Sequence, residues 1–235
     1  MRWPSWPGVR GVACGRGVTL GARAWRTALW VAAALPLATV AQATSFDQAF
    51  DDRGEPRALH YTVVFSAAGQ EHALEVWRDG EERLRRRTDD ALETYVSRTA
   101  GDPEFHLSIL DLRRRVHTRI DRRNLYRIGS FTDWFDLAHG LKHPKGAYQL
   151  TRAHRPEGAP AAQGTCRWFD LSQVRGTVHI CWSSEDRLPL LIEDERGSVV
   201  WRVTSVERGP IPAGAFEIHD QGFARDDANG DLGGD

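Results

Sequence analysis

From Ala58 onward, apolar and polar residues alternate with period two far more often than they recur at helical spacing, the pattern of strands that bury one face. Leu59–Ser66 (LHYTVVFS), His72–Asp79 (HALEVWRD), Arg83–Thr88 (RLRRRT) and Leu92–Thr99 (LETYVSRT) are predicted strands, parted by Ala-Gly, Asp-Gly and Asp-Asp turns. Glu104–Leu112, Arg115–Ile120 and Asn124–Gly129 continue the run. Further on, Cys166–Leu171 and Val178–Trp182 form a predicted hairpin about Arg175 and Gly176, followed by strands Leu188–Glu195 and Val199–Arg208. Strands at such regular spacing predict a mainly β fold, an antiparallel meander that curls into an unclosed half barrel or a barrel.

One stretch departs from the alternation. Ser130–Gly146 (SFTDWFDLAHGLKHPKG) opens with Ser130 as a candidate N-cap and Asp133 three residues on. Phe131, Trp134, Phe135, Ala138 and Leu141 then share one helical face, and Gly140 and Pro144 end it. A lone aromatic-faced helix among strands must lie on or inside the sheet. The polar stretch His154–Gly164 reads as a loop, and the acidic tail Arg225–Asp235 as disordered. The tail is like a calcium loop only in its first acids, since Leu232 stands where that loop needs glycine.

The N-terminus changes the setting. Residues 1–43 carry five arginines and no acid, then an apolar run from Ala28 to Val40 and a small-x-small site at Ala41-Gln42-Ala43, the layout of a cleaved secretory signal. Cys14 has no apolar segment before it, so it does not read as a lipidation site. Behind the signal the expected divisions are a lead-in over 44–57, one domain over 58–222 and the tail over 223–235, with no transmembrane segment in the mature chain. Removing the signal leaves 26 basic against 32 acidic residues, a net charge of −6 that argues against general nucleic-acid binding. The expected location is the periplasm.

An exported chain meets an oxidising compartment, and only Cys166 and Cys181 remain after the signal. Two thiols with one nearby histidine, His179, are too few for a metal site, whereas flanking short strands suit a disulfide across a hairpin. No nucleophile elbow, zinc-binding His pair on a long helix, phosphate-cradling loop or haem motif is present, so the chain reads as non-enzymatic, with no cofactor. His139 and His143, four apart with Asp136 a turn earlier, are the one pair that could bind a metal. Gly140, Pro144 and the helix dipole favour a structural role for them, and no metal is assigned. Arginine is denser: between Arg83 and Arg127 there are twelve arginines and seven acids. Arg83, Arg85 and Arg87 share a strand face, as do Arg113 and Arg115 in the expected strand register. Such rows suit an anionic head group or an acidic partner, with Arg85, Arg87, Arg113 and Arg115 as the candidates, or else a solvated face paired to neighbouring acids.

Cys166–Leu171 (CRWFDL), His179–Trp182 (HICW) and Arg187–Ile218 together resemble the LolA-like superfamily, the periplasmic lipoprotein carriers and their sensor-protein relatives. The resemblance implies an unclosed antiparallel barrel wrapped around a helical lid, here Ser130–Leu141. It implies an apolar interior lined by Phe65, Trp77, Tyr95, Trp134, Phe135, Trp168 and Trp201 that shelters a lipid, a lipoprotein acyl group or another amphiphile for transport. The cysteine hairpin belongs to the wider superfamily rather than to the lipoprotein carrier's own pattern. The alternative function is an accessory or sensor module that binds another envelope protein and fills its interior with its own side chains. A hydrolase or metal enzyme built on Asp136, His139 and His143 ranks below both, lacking a nucleophile and an oxyanion hole.

Overall fold

A computed structural model describes residues 44–127 and 133–231. The expected signal segment, Ser130 and Phe131 of the expected helix and the last four residues of the tail therefore lie outside the described residues.

Twelve strands form one sheet. The first meander comprises β1 (Ala58–Ala67), β2 (Gln70–Asp79), β3 (Arg83–Thr88), β4 (Leu92–Ser97), β5 (His106–Asp111) and β6 (Val116–Asp121). The second comprises β7 (Tyr148–Ala153), β8 (Arg167–Gln173), β9 (Gly176–Ser183), β10 (Leu188–Glu193) and β11 (Val199–Arg208). They join where β1 pairs with β11, and β12 (Ala224–Asp227) adds to the far side of β6, giving the order β12-β6-β5-β4-β3-β2-β1-β11-β10-β9-β8-β7. All pairs are antiparallel except β12 with β6. The end strands β7 and β12 do not pair, so the sheet is an open half barrel, as its alternation predicts.

Register explains which face is buried. Leu59, Arg78, Leu84, Val96, Leu107 and Ile120 stand opposite one another across six strands, and all are buried. One residue along, His60, Trp77, Arg85, Tyr95, Ser108 and Arg119 form the matching row of the opposite, polar face. A one-residue slip would exchange the two rows, so burial of the first pins the pairing. The inner face packs in one cluster with Trp134, Leu137 and Ala138 of a short helix and with Trp201 and Val203 of β11. A second cluster gathers Phe46 and Phe50, at either end of the helix α1 (Phe46–Ala49), with Leu150, Phe169, Leu171, Ile180 and Trp182.

Three elements differ from expectation. Asn124–Gly129, read as a strand, begins inside the helix α2 (Arg122–Arg127). Its two adjacent buried residues, Asn124 and Leu125, suit a helix, and Arg122 donates to the Tyr126 hydroxyl four residues on. β7 was hidden because, as an end strand, it buries only Leu150. The tail is not disordered over 224–231: Ala224–Asp227 are β12, and Ala228–Asp231 are a short helix, α4. Backbone pairing and charge hold β12 there without any apolar strand residue being buried.

Cys166 and Cys181 are disulfide-bonded, with Cα atoms 5.3 Å apart. The bridge closes a 15-residue separation next to the Trp168–Cys181 pair of β8 and β9. Replacing both cysteines with alanine should cost about 3 kcal/mol in urea unfolding, the loop-entropy value for such a span. A loss under about 1 kcal/mol would mean that the hairpin holds its register without the bridge.

Candidate functional site: the helix over the inner face

The helix α3 (Trp134–His139) is six residues long, shorter than the expected span, and its N-cap is Asp133. Asp133 Oδ1 accepts from the Asp136 amide at 2.8 Å. Gly140 closes the helix in the left-handed region, at φ 69°. A Cβ there would also lie 2.7 Å from Trp201 Cζ2, so the sharp exit and the close approach both require glycine.

Beneath α3 lies a polar network in an apolar setting. The Tyr61 hydroxyl donates to Ala138 O at 3.1 Å. Arg78, wholly buried, donates to Ala138 O at 3.3 Å and to Asp186 O at 3.2 Å, and pairs with Glu55 at 3.3 Å. Glu55 also meets His139 Nε2 at 2.9 Å. His139 Nδ1 donates to Phe135 O at 3.1 Å, so the Glu55 contact needs a proton on one partner or the other. Sequence reasoning passed over Arg78 and Glu55, yet the signal was there: Arg78 occupies an apolar register after Leu74 and Val76. Arg86 is a second case. It follows Leu84 on the inner face, its charged form is disfavoured by burial, and it makes no hydrogen bond or ion pair among the described residues.

His139 and His143 do not form a pair. His143 Nδ1 faces Asp136 Oδ1 at 3.2 Å and Asp133 Oδ2 at 3.5 Å, and Nε2 faces Asp47 Oδ1 at 3.0 Å. Among the described residues, the group that could hold a cation is therefore Asp133, Asp136 and His143, and a protonated imidazole serves these carboxylates in the same place. The Asp136 hydrogen bond leads the groups that raise His143 above its ordinary value of 6.5. Burial, helped by Arg78, lowers His139 below the same value. His143 thus adds stability that is complete below the unfolded pKa and fades as pH rises through its higher folded value. His139 does the reverse, losing stability as pH falls below 6.5. Ring-proton NMR titration should place His143 above 6.5 and His139 below it, and the opposite order would contradict this wiring.

The expected apolar lining divides. Trp134 and Trp201 are buried in the inner cluster, with Phe65 and Trp168 packed against it. Phe135 turns toward the second cluster, 6.0 Å from Phe46. Trp77 and Tyr95 lie on the opposite face: Trp77 stacks on His60, and Arg85 sits over both rings, at 4.5 Å and 5.4 Å. They cannot line one interior with Trp134.

The arginine rows divide too. Arg85 donates to Glu93 at 2.7 Å and to Ala215 O at 3.1 Å, while Arg87 pairs with Asp90 at 2.7 Å. Burial raises the Glu93 carboxyl, but hydrogen bonds from Tyr95 and Arg85 outweigh it and hold the group below its ordinary range. Arg113 and Arg115 leave the face altogether, because β6 starts at Val116 and both occupy the preceding turn, where Arg115 has φ 55°. A cavity of about 580 Å3 lies beside Arg57, Asp79 and Pro210, and another of about 170 Å3 beside His117, Arg119 and Arg225.

No family model matches the chain, and no curated protein does. Among solved structures it is similar to the crystal structure of MucB, at 15% identity and a TM-score of 0.35, over 73% of this chain and 60% of that one. The chain thus spans about 60% of the length of that neighbour. No described helix is long and apolar enough to cross a membrane.

Proposed function

We propose that this chain is a non-catalytic, periplasmic module that acts by binding another envelope protein. The observation that carries this reading is the packing of α3: Trp134, Leu137 and Ala138 belong to the same core as the inner strands, so the interior is filled by the protein's own side chains. The polar groups support a binding role over chemistry. His60, His72, His106, His117, His139, His143 and His179 each face a carboxylate, and no hydrogen bond joins a histidine to a serine or threonine among the described residues.

A second reading, the carrier of a lipid or other amphiphile, draws on Arg86. An inward-facing cation that pairs with no carboxylate among the described residues suits an anionic head group whose chains would enter if α3 lifted. Native mass spectrometry of residues 44–235, purified gently from an envelope and then extracted with organic solvent, separates the two. A clean protein mass supports the module. A lipid-sized adduct that is lost in Arg86→Ala supports the carrier.

A further inference from the structure

β6 ends the first meander, and its outer edge would present unpaired backbone groups to any passing strand. The chain covers that edge with its own residues 224–227. In parallel register Ala224, Arg225, Asp226 and Asp227 stand opposite Val116, His117, Thr118 and Arg119, and all four covering residues are exposed.

The attachments are mostly polar, the exception being the half-buried Phe223 ring, which lies under the Arg115 guanidinium at 5.6 Å. The Ala224 amide donates to Arg115 O at 2.8 Å, and Arg115 donates to Gln221 O at 3.0 Å. Asp220 meets His117 Nδ1 at 2.8 Å and Arg225 at 3.1 Å. Asn229 Oδ1 accepts from the Asp121 amide at 2.8 Å and from Asn124 at 2.7 Å. Ala228 alone reaches the core, as a partly buried neighbour. Exposed backbone pairing with so little apolar burial marks a segment that opens locally at low cost.

Charge gives the edge a preference. Arg119 lies in β6, Arg113, Arg114 and Arg115 in the turn before it and Arg123 just after it, with Arg114 and Arg123 near Asp111 and Asp121, while the covering stretch 220–227 has three aspartates and one arginine. The fit is also incomplete. His117 is buried, yet its Nε2 has no hydrogen-bond partner among the described residues, and it borders the cavity of about 170 Å3 with Arg119 and Arg225. The resident segment leaves an unmet polar atom and space beside it.

We propose that residues 220–227 are a displaceable placeholder and that the β6 edge is a strand-addition site for an acidic, extended segment of a partner protein. Backbone hydrogen bonds would supply affinity and the arginine rim the selection for acidic sequence. This deepens the protein-binding reading above and rests on it.

The test uses the full mature chain and, as probe, a fluorescent peptide copying residues 219–231. Thr118→Cys with Asp226→Cys, oxidised, locks the placeholder, and the matching double serine variant is its control. Asp220→Ala with Asp226→Ala and Asp227→Ala loosens it. The loosened chain should bind the peptide at least about tenfold more tightly than wild type, the factor expected when a resident segment fills nine-tenths of the sites. The locked chain should not bind, and a peptide with lysines for its aspartates should bind neither. Equal binding to the locked and serine chains overturns the proposal, as does equal competition by a single-stranded oligonucleotide. If the loosened chain fails to fold, hydrogen exchange on wild type decides. Amides of 224–227 exchanging at least about tenfold faster than those of β5 uphold a placeholder, and equal protection overturns it. A lipid extracted from the native chain would defeat the protein-binding reading itself, and leaves this peptide result to stand or fall separately.

Discussion

Arg78→Ala should destabilise the domain by about 3–5 kcal/mol, the usual loss when one partner of a buried charge pair is removed. The side chain is wholly buried and serves three acceptors, so its loss strands Glu55, Asp186 O and part of the bonding at Ala138 O. In a domain of this size the midpoint of thermal unfolding should fall by roughly 10 °C. Arg78→Met with Glu55→Leu should recover at least half of that loss, because a missing pair is tolerated better than a broken one. The recovery stays incomplete, since His139 Nε2 then loses its partner. A drop of less than about 1 kcal/mol for Arg78→Ala would mean that packing alone holds α3.

The second large effect is expected at Trp134. Truncation to alanine should cost about 3–5 kcal/mol through lost transfer energy and the cavity left behind. Its ring lies in the inner cluster, 94% shielded from solvent, with the Arg98 guanidinium 4.2 Å above it. Phe135→Ala, one residue on and only partly buried, should cost well under half as much. Denaturant melts of the two variants make the comparison. Equal losses would show that α3 rests on the sheet through its second-cluster face as firmly as through its first. Together these variants decide how strongly the helix is held, which separates a permanently closed module from one whose lid must lift.

Much of the architecture was legible because a half-buried strand writes its burial into alternate residues. Leu59, Tyr61 and Val63 in β1, or Leu74 and Val76 in β2, announce both the strand and its inner face. The bridge was legible for a different reason: the expected signal, once removed, leaves two of the three cysteines, and the expected compartment is oxidising. Elements with little burial left no such trace. β12 contributes four exposed residues, and composition alone made its acids read as disorder.

The candidate site was less legible. Trp77 and Trp201 are indistinguishable as aromatic strand residues, and only the register across β1, β2 and β11 puts them on opposite faces. His139 and His143 share a four-residue spacing, but the left-handed turn at Gly140 sends them to different carboxylates. For Arg85 and Arg87 the sequence left a head-group site and pairing to neighbouring acids both open, and the fold sets Glu93 beside Arg85 and Asp90 beside Arg87.

By itself the sequence determined the class of the fold, most of the strands that bury a face, the helical core of α3 and the disulfide pairing, because each depends on neighbours in the chain or on the expected compartment. Tertiary structure alone decided which aromatics share an interior, which charges are answered and what covers the edge of β6. Those depend on partners up to about a hundred residues away, such as Asp220 at His117 or Ala138 at Tyr61, and no local pattern records a contact of that span.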